Sequence, residues 1–461
     1  MMTAVRDRYD REDDTDRTYA NYNFGLGFKQ VFEPQKEELT IDGRYSDGGN
    51  DTEARLTNLF EILAGAPVDL PLELTLNDID AGNGNLSIQA DYFRPLGTGK
   101  LELGYRAWQR DQDNDNLLRI FASPDAADPR DETRSGYAYE EVFHSLYGTY
   151  GRTLGKFAVQ LGLRAELSRT HFDSRVGGEA FDRSYKTLFP SLNVSYSPVQ
   201  GRTFRFLYSK RIRRPSAYYL DPYVPATDPL NISVGNPDLK PSYTQSTSVD
   251  FSWTGSKGTI RIAPYYRNTT DIWERIRTVD TLGIATSRWE NGLSAKAYGS
   301  NFTISLPPTG RLSGSVNLSA YRDVRDGTNI SSAYRRSAWM WSLGGNLGLK
   351  IRESLTAQAF AHHFPTQSIL QGRASGYTFT SVTLRQQLWD SKGSLTLGIR
   401  DPLNLFRYTS STRDATYIQN SRSSYESRVV TLGFTFNFGK RPEQQSRRST
   451  TEEAGETIRI R

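Results

Sequence analysis

SKRIRRPSAYYLDPYVPATDPLNISVGNPDLKPSY, residues 209–243, is the stretch on which the reading of this chain turns. It holds six prolines, Pro215, Pro222, Pro225, Pro229, Pro237 and Pro241. Each fixes its own φ and lacks an N–H, which predicts that no ladder or helix runs through the stretch. The flanks differ. Phe204, Phe206 and Tyr208 interleave with Arg205, Ser209 and Arg211 on one side, and Val249, Phe251 and Trp253 with Ser248, Asp250 and Ser252 on the other. Such alternation puts one face of a strand in an apolar medium and the other in a polar one. A long connection between two strands of this kind is usually functional.

The same period extends outward in both directions. Towards the N-terminus it predicts strands from Tyr19 (Tyr22, Phe24, Leu26, Phe28), at Leu39–Tyr45, Leu86–Tyr92, Leu101–Ala107, Tyr137–Gly151, Lys156–Phe172, Ser184–Ser197 and Arg202–Arg211. Towards the C-terminus it predicts Thr244–Trp253, Thr259–Asp271, Trp289–Leu306, Arg311–Asp323, Ala333–Ile351, Ser354–Phe364, Thr378–Trp389, Ser394–Leu405 and Arg428–Phe438. The clearest is Lys156–Phe172. There Phe157, Val159, Leu161 and Leu163 take one face, and Gln160, Arg164 and Glu166 the other. Short connections (Pro95–Gly99, Pro198–Gly201, Gly255–Gly258, Pro307–Gly310, Arg352–Glu353, Asp390–Gly393) alternate with long polar ones. Strands of this length, with short turns at one end and long loops at the other, predict an all-β, antiparallel transmembrane barrel of about 17 strands. One long connection, Asp47–Gly84, carries an apolar patch (Leu59, Phe60, Ile62, Leu63) that predicts a short helix or hairpin over the mouth.

Composition sets the bounds. The 461 residues include 26 Tyr, 22 Phe and 7 Trp, with 38 Gly and 20 Pro for turns. The mean hydropathy of −0.60 is that of a polar chain, yet a barrel keeps a polar lumen and polar outer loops. No apolar run approaches the roughly 20 residues of a membrane helix. A closed barrel is then the remaining way to cross a bilayer with every backbone group satisfied. Cysteine is absent, which excludes thiolate catalysis and zinc–thiolate sites. A net charge of +5 does not point to nucleic acid. Residues 1–18 read as a polar segment or loop remnant without the apolar core of a signal peptide, so a fragment or a late-started reading frame is expected. Residues 19–438 read as the barrel domain, and 439–461 as a polar periplasmic tail.

Three elements of the opening stretch, Arg213-Arg214-Pro215-Ser216, Asp228-Pro229-Leu230-Asn231 and Gly235-Asn236-Pro237-Asp238-Leu239-Lys240-Pro241, occur in order at close spacing. In this the chain resembles the barrel domain of TonB-dependent outer-membrane receptors, in the subfamily described as the outer-membrane β-barrel family. The resemblance implies a 22-stranded barrel with a plugged lumen, of which this chain would hold about 17 strands without the plug. It also implies import of a scarce small ligand, such as a metal chelate, oligosaccharide or peptide, driven by the TonB complex through parts outside this chain. Thr431-Leu-Gly433-Phe-Thr-Phe436-Asn-Phe438 resembles the signal read by the barrel-assembly machinery, although here a charged tail follows it.

Within the proline-rich stretch, Arg211, Arg213 and Arg214 suit bidentate pairing with an anionic ligand or plug carboxylates, or else form a collar facing outer-leaflet phosphates or simple loop ion pairs. Tyr218, Tyr219 and Tyr223 read as a binding shelf or as loop packing. Asn231, Asn236 and Asp238 supply polar contacts. The stretch is expected to fold inward over the lumen. Asp111, Asp113 and Asp115 have the spacing of half a calcium loop but lack its glycine and closing glutamate, so a solvated loop tip is expected. His144, His171, His362 and His363 have no ligand-spaced partners, no metal or other cofactor is indicated, and no catalytic set stands out. Trp108, Trp273, Trp289, Trp339, Trp341 and Trp389 near strand ends suggest interfacial girdles. Two other readings remain, a passive porin of about 16–18 strands and a soluble β-rich surface-binding protein.

Overall fold

Period-2 sequence becomes one meandering antiparallel sheet in which each wall strand pairs with the next. The computed structural model describes residues 7–34, 36–62, 72–175, 178–222, 231–281, 283–307, 310–390, 392–414 and 417–438. The wall starts with β1 (Asp7–Glu33), β2 (Glu37–Ile62), β3 (Leu72–Leu96), β4 (Gly99–Phe121), β5 (Asp131–Leu154), β6 (Phe157–Ser174), β7 (Ala180–Val199) and β8 (Arg202–Arg213). The proline-rich connection follows, with one helical turn, α1 (Ala217–Leu220), and a four-residue strand, β9 (Asn231–Val234). The wall resumes with β10 (Ser242–Gly255), β11 (Gly258–Val279), β12 (Ala285–Leu306), β13 (Leu312–Asp326), β14 (Arg335–Arg352) and β15 (Leu355–His363). Then come β16 (Gln367–Ile369), β17 (Gly372–Ala374), β18 (Thr378–Leu388), β19 (Gly393–Arg400), β20 (Arg407–Arg413), β21 (Ile418–Ser424) and β22 (Val429–Phe436).

All but β9, β16, β17, β20 and β21 form the wall, which makes 17 wall strands, the number the alternation predicts. Short and long connections alternate, so one end of the sheet carries tight turns and the other the long loops. Among the described residues no register joins β1 to β22, and each has a single ladder partner, β2 and β19 respectively.

The two faces separate as the alternation requires. On β6, Phe157, Leu161, Leu163 and Leu167 are 48–55% exposed, while Glu166 and Ser168 on the opposite face are 4% and 5% exposed. Exposed apolar stripes recur on β12 (Phe302, Ile304), β14 (Leu343, Leu347, Leu349) and β22 (Leu432, Phe434, Phe436). These are lipid-facing positions. The face carrying Glu166 lines the lumen.

The outer ends depart from several expectations. The 47–84 connection is ladder over most of its length, since β2 and β3 stay paired up to Leu59↔Leu72. β1 likewise runs from Asp7, through residues expected to be a polar segment. Asp111, Asp113 and Asp115 form neither a calcium loop nor a loop tip. They lie inside β4, in register with both β3 and β5, and Arg175 pairs with Asp113 and Asp115. In all three places largely polar sequence continues a strand beyond the bilayer, where hydrophobic alternation no longer marks the ladder. The prolines do break the wall between β8 and β10, but α1 and β9 fit into the gaps between them. The tail 439–461 and Tyr223 lie outside the described residues.

Candidate functional site

The described parts of the connection from β8 to β10, residues 214–222 and 231–241, are folded onto the lumen side of the outer sheet. Ala217, Leu220 and Leu239 are 0–2% exposed and cluster with Tyr139 of β5, Phe172 of β6 and Trp273 of β11. Tyr139 and Phe172 share the lumen face with Glu141 and Glu166, which places the connection over the lumen. Tyr137 stacks on Phe172 with ring centroids 5.7 Å apart. Burial, aided by the Asp221 carboxylate, pushes the Tyr137 hydroxyl up to about 12.

The root of the connection is electrostatic. Arg214 pairs with Glu166, lies 3.4 Å from Glu141 and donates to Ser168 at 3.3 Å. Arg164 approaches Glu166 from the other side at 3.7 Å, and the Tyr139 hydroxyl donates to Glu141 at 3.2 Å. Both carboxylates are almost fully buried. Buried carboxylates persist as ions only when paired and hydrogen-bonded. Arg213 takes a different role: its guanidinium stacks 4.2 Å over the Trp273 ring while the residue stays exposed. Arg211 is exposed on the last outer turns of β8, opposite Thr244.

The motif that follows is clamped by backbone. Asn236 is 4% exposed; it donates to the Trp289 carbonyl at 2.8 Å and accepts from the Asp238 N–H at 2.9 Å. Its carboxamide is thus engaged within the loop, and does not face outward as a ligand contact would. The Asp238 carboxylate is 89% exposed, 3.8 Å from Arg183. Arg183 donates to the Pro237 and Leu239 carbonyls. Gly235 donates to the Asp221 carbonyl at 2.8 Å, and a Cβ there would overlap that oxygen. Asn231 opens β9, which pairs in parallel with β12, and its side chain accepts from Arg277. Tyr219 packs at 4.9 Å from Trp273 and 4.5 Å from Trp289; Tyr218, 53% exposed, meets Tyr219 edge-on.

Sequence reasoning missed the partner surface. Opposed irregularities interrupt the β11–β12 register, an extra residue near Asp271 (φ 53°) and another near Gly292 (φ 110°). Each bulge exchanges the faces of its strand. Beyond them one face of the hairpin, with Trp273 and Trp289, packs on the proline-rich connection. The other, with Ile276 and Glu274, packs on the β16–β17 tip through Leu370. Trp273 and Trp289 are therefore loop-core residues and not girdle residues, whereas Trp339, Trp341 and Trp389 are 50–69% exposed. Two amides clip loops to this hairpin like ladder partners. Asn291 exchanges hydrogen bonds with the Lys240 N–H and C=O, and Gln371 with those of Arg277. A local alternation reading has no signal for such contacts; the Asp-Ile and Asn-Gly pairs at the bulges are the nearest hint.

Elsewhere, β22 holds Thr431, Gly433 and Phe436, with Phe438 just beyond it at 88% exposure. His144 meets the Tyr105 hydroxyl at 2.8 Å and His171 the Asp182 carboxylate at 3.3 Å. Among the described residues no three His, Asp or Glu side chains gather at metal-binding distance.

The family model described as outer membrane protein beta-barrel family matches residues 30–437. No curated protein matches the chain in sequence. Solved structures similar in fold include the copper transporter OprC, with TM-score 0.59 and 10% identity over 94% of this chain and 78% of that one. The ferric-catecholate import receptor Fiu from E. coli K12 is similar with TM-score 0.54 and 11% identity, over 87% of this chain and 64% of that one. The ferric yersiniabactin uptake receptor FyuA from Yersinia pestis is similar with TM-score 0.55 and 12% identity, over 87% and 62%. This chain thus spans less than two thirds of the length of the last two.

Proposed function

The chain belongs to the outer membrane protein beta-barrel family, a wall of the bacterial outer membrane, and on that premise we propose that it imports a small ligand with TonB-supplied energy. The observation that supports this most is the connection between β8 and β10, held over the lumen by the Arg214–Glu166–Glu141 network and an aromatic core. A passive pore needs an open lumen, and a connection anchored this firmly works against one. In this reading Arg211, Arg213 and Tyr218 face the ligand or plug, Arg213 presenting its free donors while Trp273 holds its plane. Asn231, Asn236 and Asp238 set the shape of the connection. The apolar stripes meet lipid and lipopolysaccharide, and Thr431, Gly433, Phe436 and Phe438 are read by the barrel-assembly machinery.

The test is uptake by cells carrying the full-length receptor. Replacing Arg213 with Ala should lower accumulation of the ligand while heat-modifiable migration, the mark of a folded barrel, stays. Collapse of the inner-membrane proton gradient should abolish uptake by the unaltered protein. Uptake that survives that collapse would establish the passive pore instead.

A further inference from the structure

A second feature lies in residues that alternation did not single out. The connections from β15 to β18 and from β19 to β22, separate in sequence, join in a four-stranded sheet ordered β16-β17-β20-β21. Period-2 geometry sorts its side chains. One face holds Arg407, Thr409, Ser411 and Arg413 of β20. It continues with their partners Ser424, Arg422, Asn420 and Ile418 on β21, and with Arg373 opposite Ser411 on β17. Tyr408, Ser410, Thr412 and Ala374 take the other face, where Ala374 is buried and the other three are half-buried.

We infer that the first face binds a phosphate- or carboxylate-rich anion. Arg373, Arg407 and Arg422 are exposed, and among the described residues none makes an ion pair. Directly opposed like charges destabilise a sheet. Here the register sets each of the three guanidiniums opposite a hydroxyl: Arg407↔Ser424, Thr409↔Arg422, Ser411↔Arg373. Arg407 and Arg422 are diagonal neighbours, about 7–8 Å apart, and Arg373 reaches the same face from the far side of β20, so that an extended multivalent anion lying across the sheet would meet all three. Arg373 and Arg422 line one groove with Thr409, Ser411 and Asn420, and Arg407 and Arg422 line the adjoining one. The carboxylate in that second groove, Glu426, is already held by Arg428 at 2.9 and 3.1 Å. Guanidinium forks suit bidentate phosphate and carboxylate oxygens, and the Ser and Thr hydroxyls add donors at the same height. The sheet is also built as a platform: Leu370 is fully buried, Gln371 clips to β11, and Asp401 accepts from the Leu405 and Phe406 N–H groups beneath it.

A soluble anion and a lipopolysaccharide phosphate offer the same chemistry, so the test uses both. Protein purified in detergent is titrated with sodium tripolyphosphate and, separately, reconstituted protein with vesicles containing or lacking phosphorylated lipid A. The expected result is saturable, salt-sensitive binding in at least one arm. It should weaken about tenfold for each arginine lost in Arg373→Gln, Arg407→Gln and Arg422→Gln, with heat-modifiable migration unchanged. Binding of tripolyphosphate identifies a soluble ligand, and binding of the lipid alone identifies the membrane surface. No saturable binding in either arm, or equal binding by the triple variant, overturns the assignment. Neither titration involves transport, so failure here leaves the import reading standing.

Discussion

Arg214 and Glu166 are 48 residues apart in sequence and meet as a buried ion pair where the proline-rich connection leaves the wall. Glu141 stands against the same guanidinium from the neighbouring strand. One arginine thereby ties the root of a long connection to two lumen strands. Replacing it with Ala leaves two almost fully buried carboxylates short of a partner. Removing one side of a buried pair costs about 3–5 kcal/mol. Arg214→Ala should lower the urea midpoint accordingly and expose residues 213–242 to proteolysis. A midpoint within error of the parent protein would show that Arg164 alone sustains the network.

The stripe on β6 predicts an asymmetric response to charge. Arg at Leu161, 55% exposed on the apolar face, should cost about 2–4 kcal/mol near the bilayer midplane. Gln160→Arg, one residue away on the other face, should cost far less. Folding equilibria of the two variants in lipid vesicles decide the matter, and equal costs would contradict the assignment of faces.

Gln371 should govern the docking of the β16–β17 tip. Its carboxamide accepts from the Arg277 N–H at 2.9 Å and donates to the Arg277 carbonyl at 2.7 Å. Gln371→Leu strands both groups, at about 1–3 kcal/mol for an unmet buried group. The effect should be local, with faster hydrogen exchange at Arg277 and its β12 neighbours and none at β6. Unchanged exchange at Arg277 would mean that the apolar contacts of Leu370 suffice.

Asp401 predicts a pH response. Burial alone would raise its carboxyl, but donation from Ser427, from the Leu405 and Phe406 N–H groups and from Thr380 holds it below the usual carboxylate range. Its stabilising effect is therefore fully present above the unfolded value of about 3.9 and is lost as pH falls through the lower folded value. Protease resistance of the 401–428 connection should stay flat from about pH 8 to pH 5 and drop only in stronger acid. Asp401→Asn keeps the φ of 44° accessible but removes the charge, and should be cut more readily across the whole range. A loss of resistance near pH 6 would point to a histidine instead.

The wall was legible in the sequence because its information is local. Period-2 alternation, its length and the turn chemistry at one end set 17 strands, the lipid face of β6 and the lumen placement of Glu166, since a strand that crosses a bilayer keeps one side apolar and the other polar over its whole crossing. Beyond the bilayer that contrast disappears. The outer reaches of β2, β3 and β4 consequently read as loops, and Asp111–Asp115 as a loop tip, although they are continuous ladder. Only the tertiary structure decided which outer residues meet. It sets Arg214 against Glu141 and Glu166, inserts the bulged β11–β12 hairpin between two connections, and gathers Arg373, Arg407 and Arg422 from two connections onto one face. Those contacts depend on where the strand ends lie around the sheet and on how far each extends, and neither is encoded in the spacing of neighbouring residues.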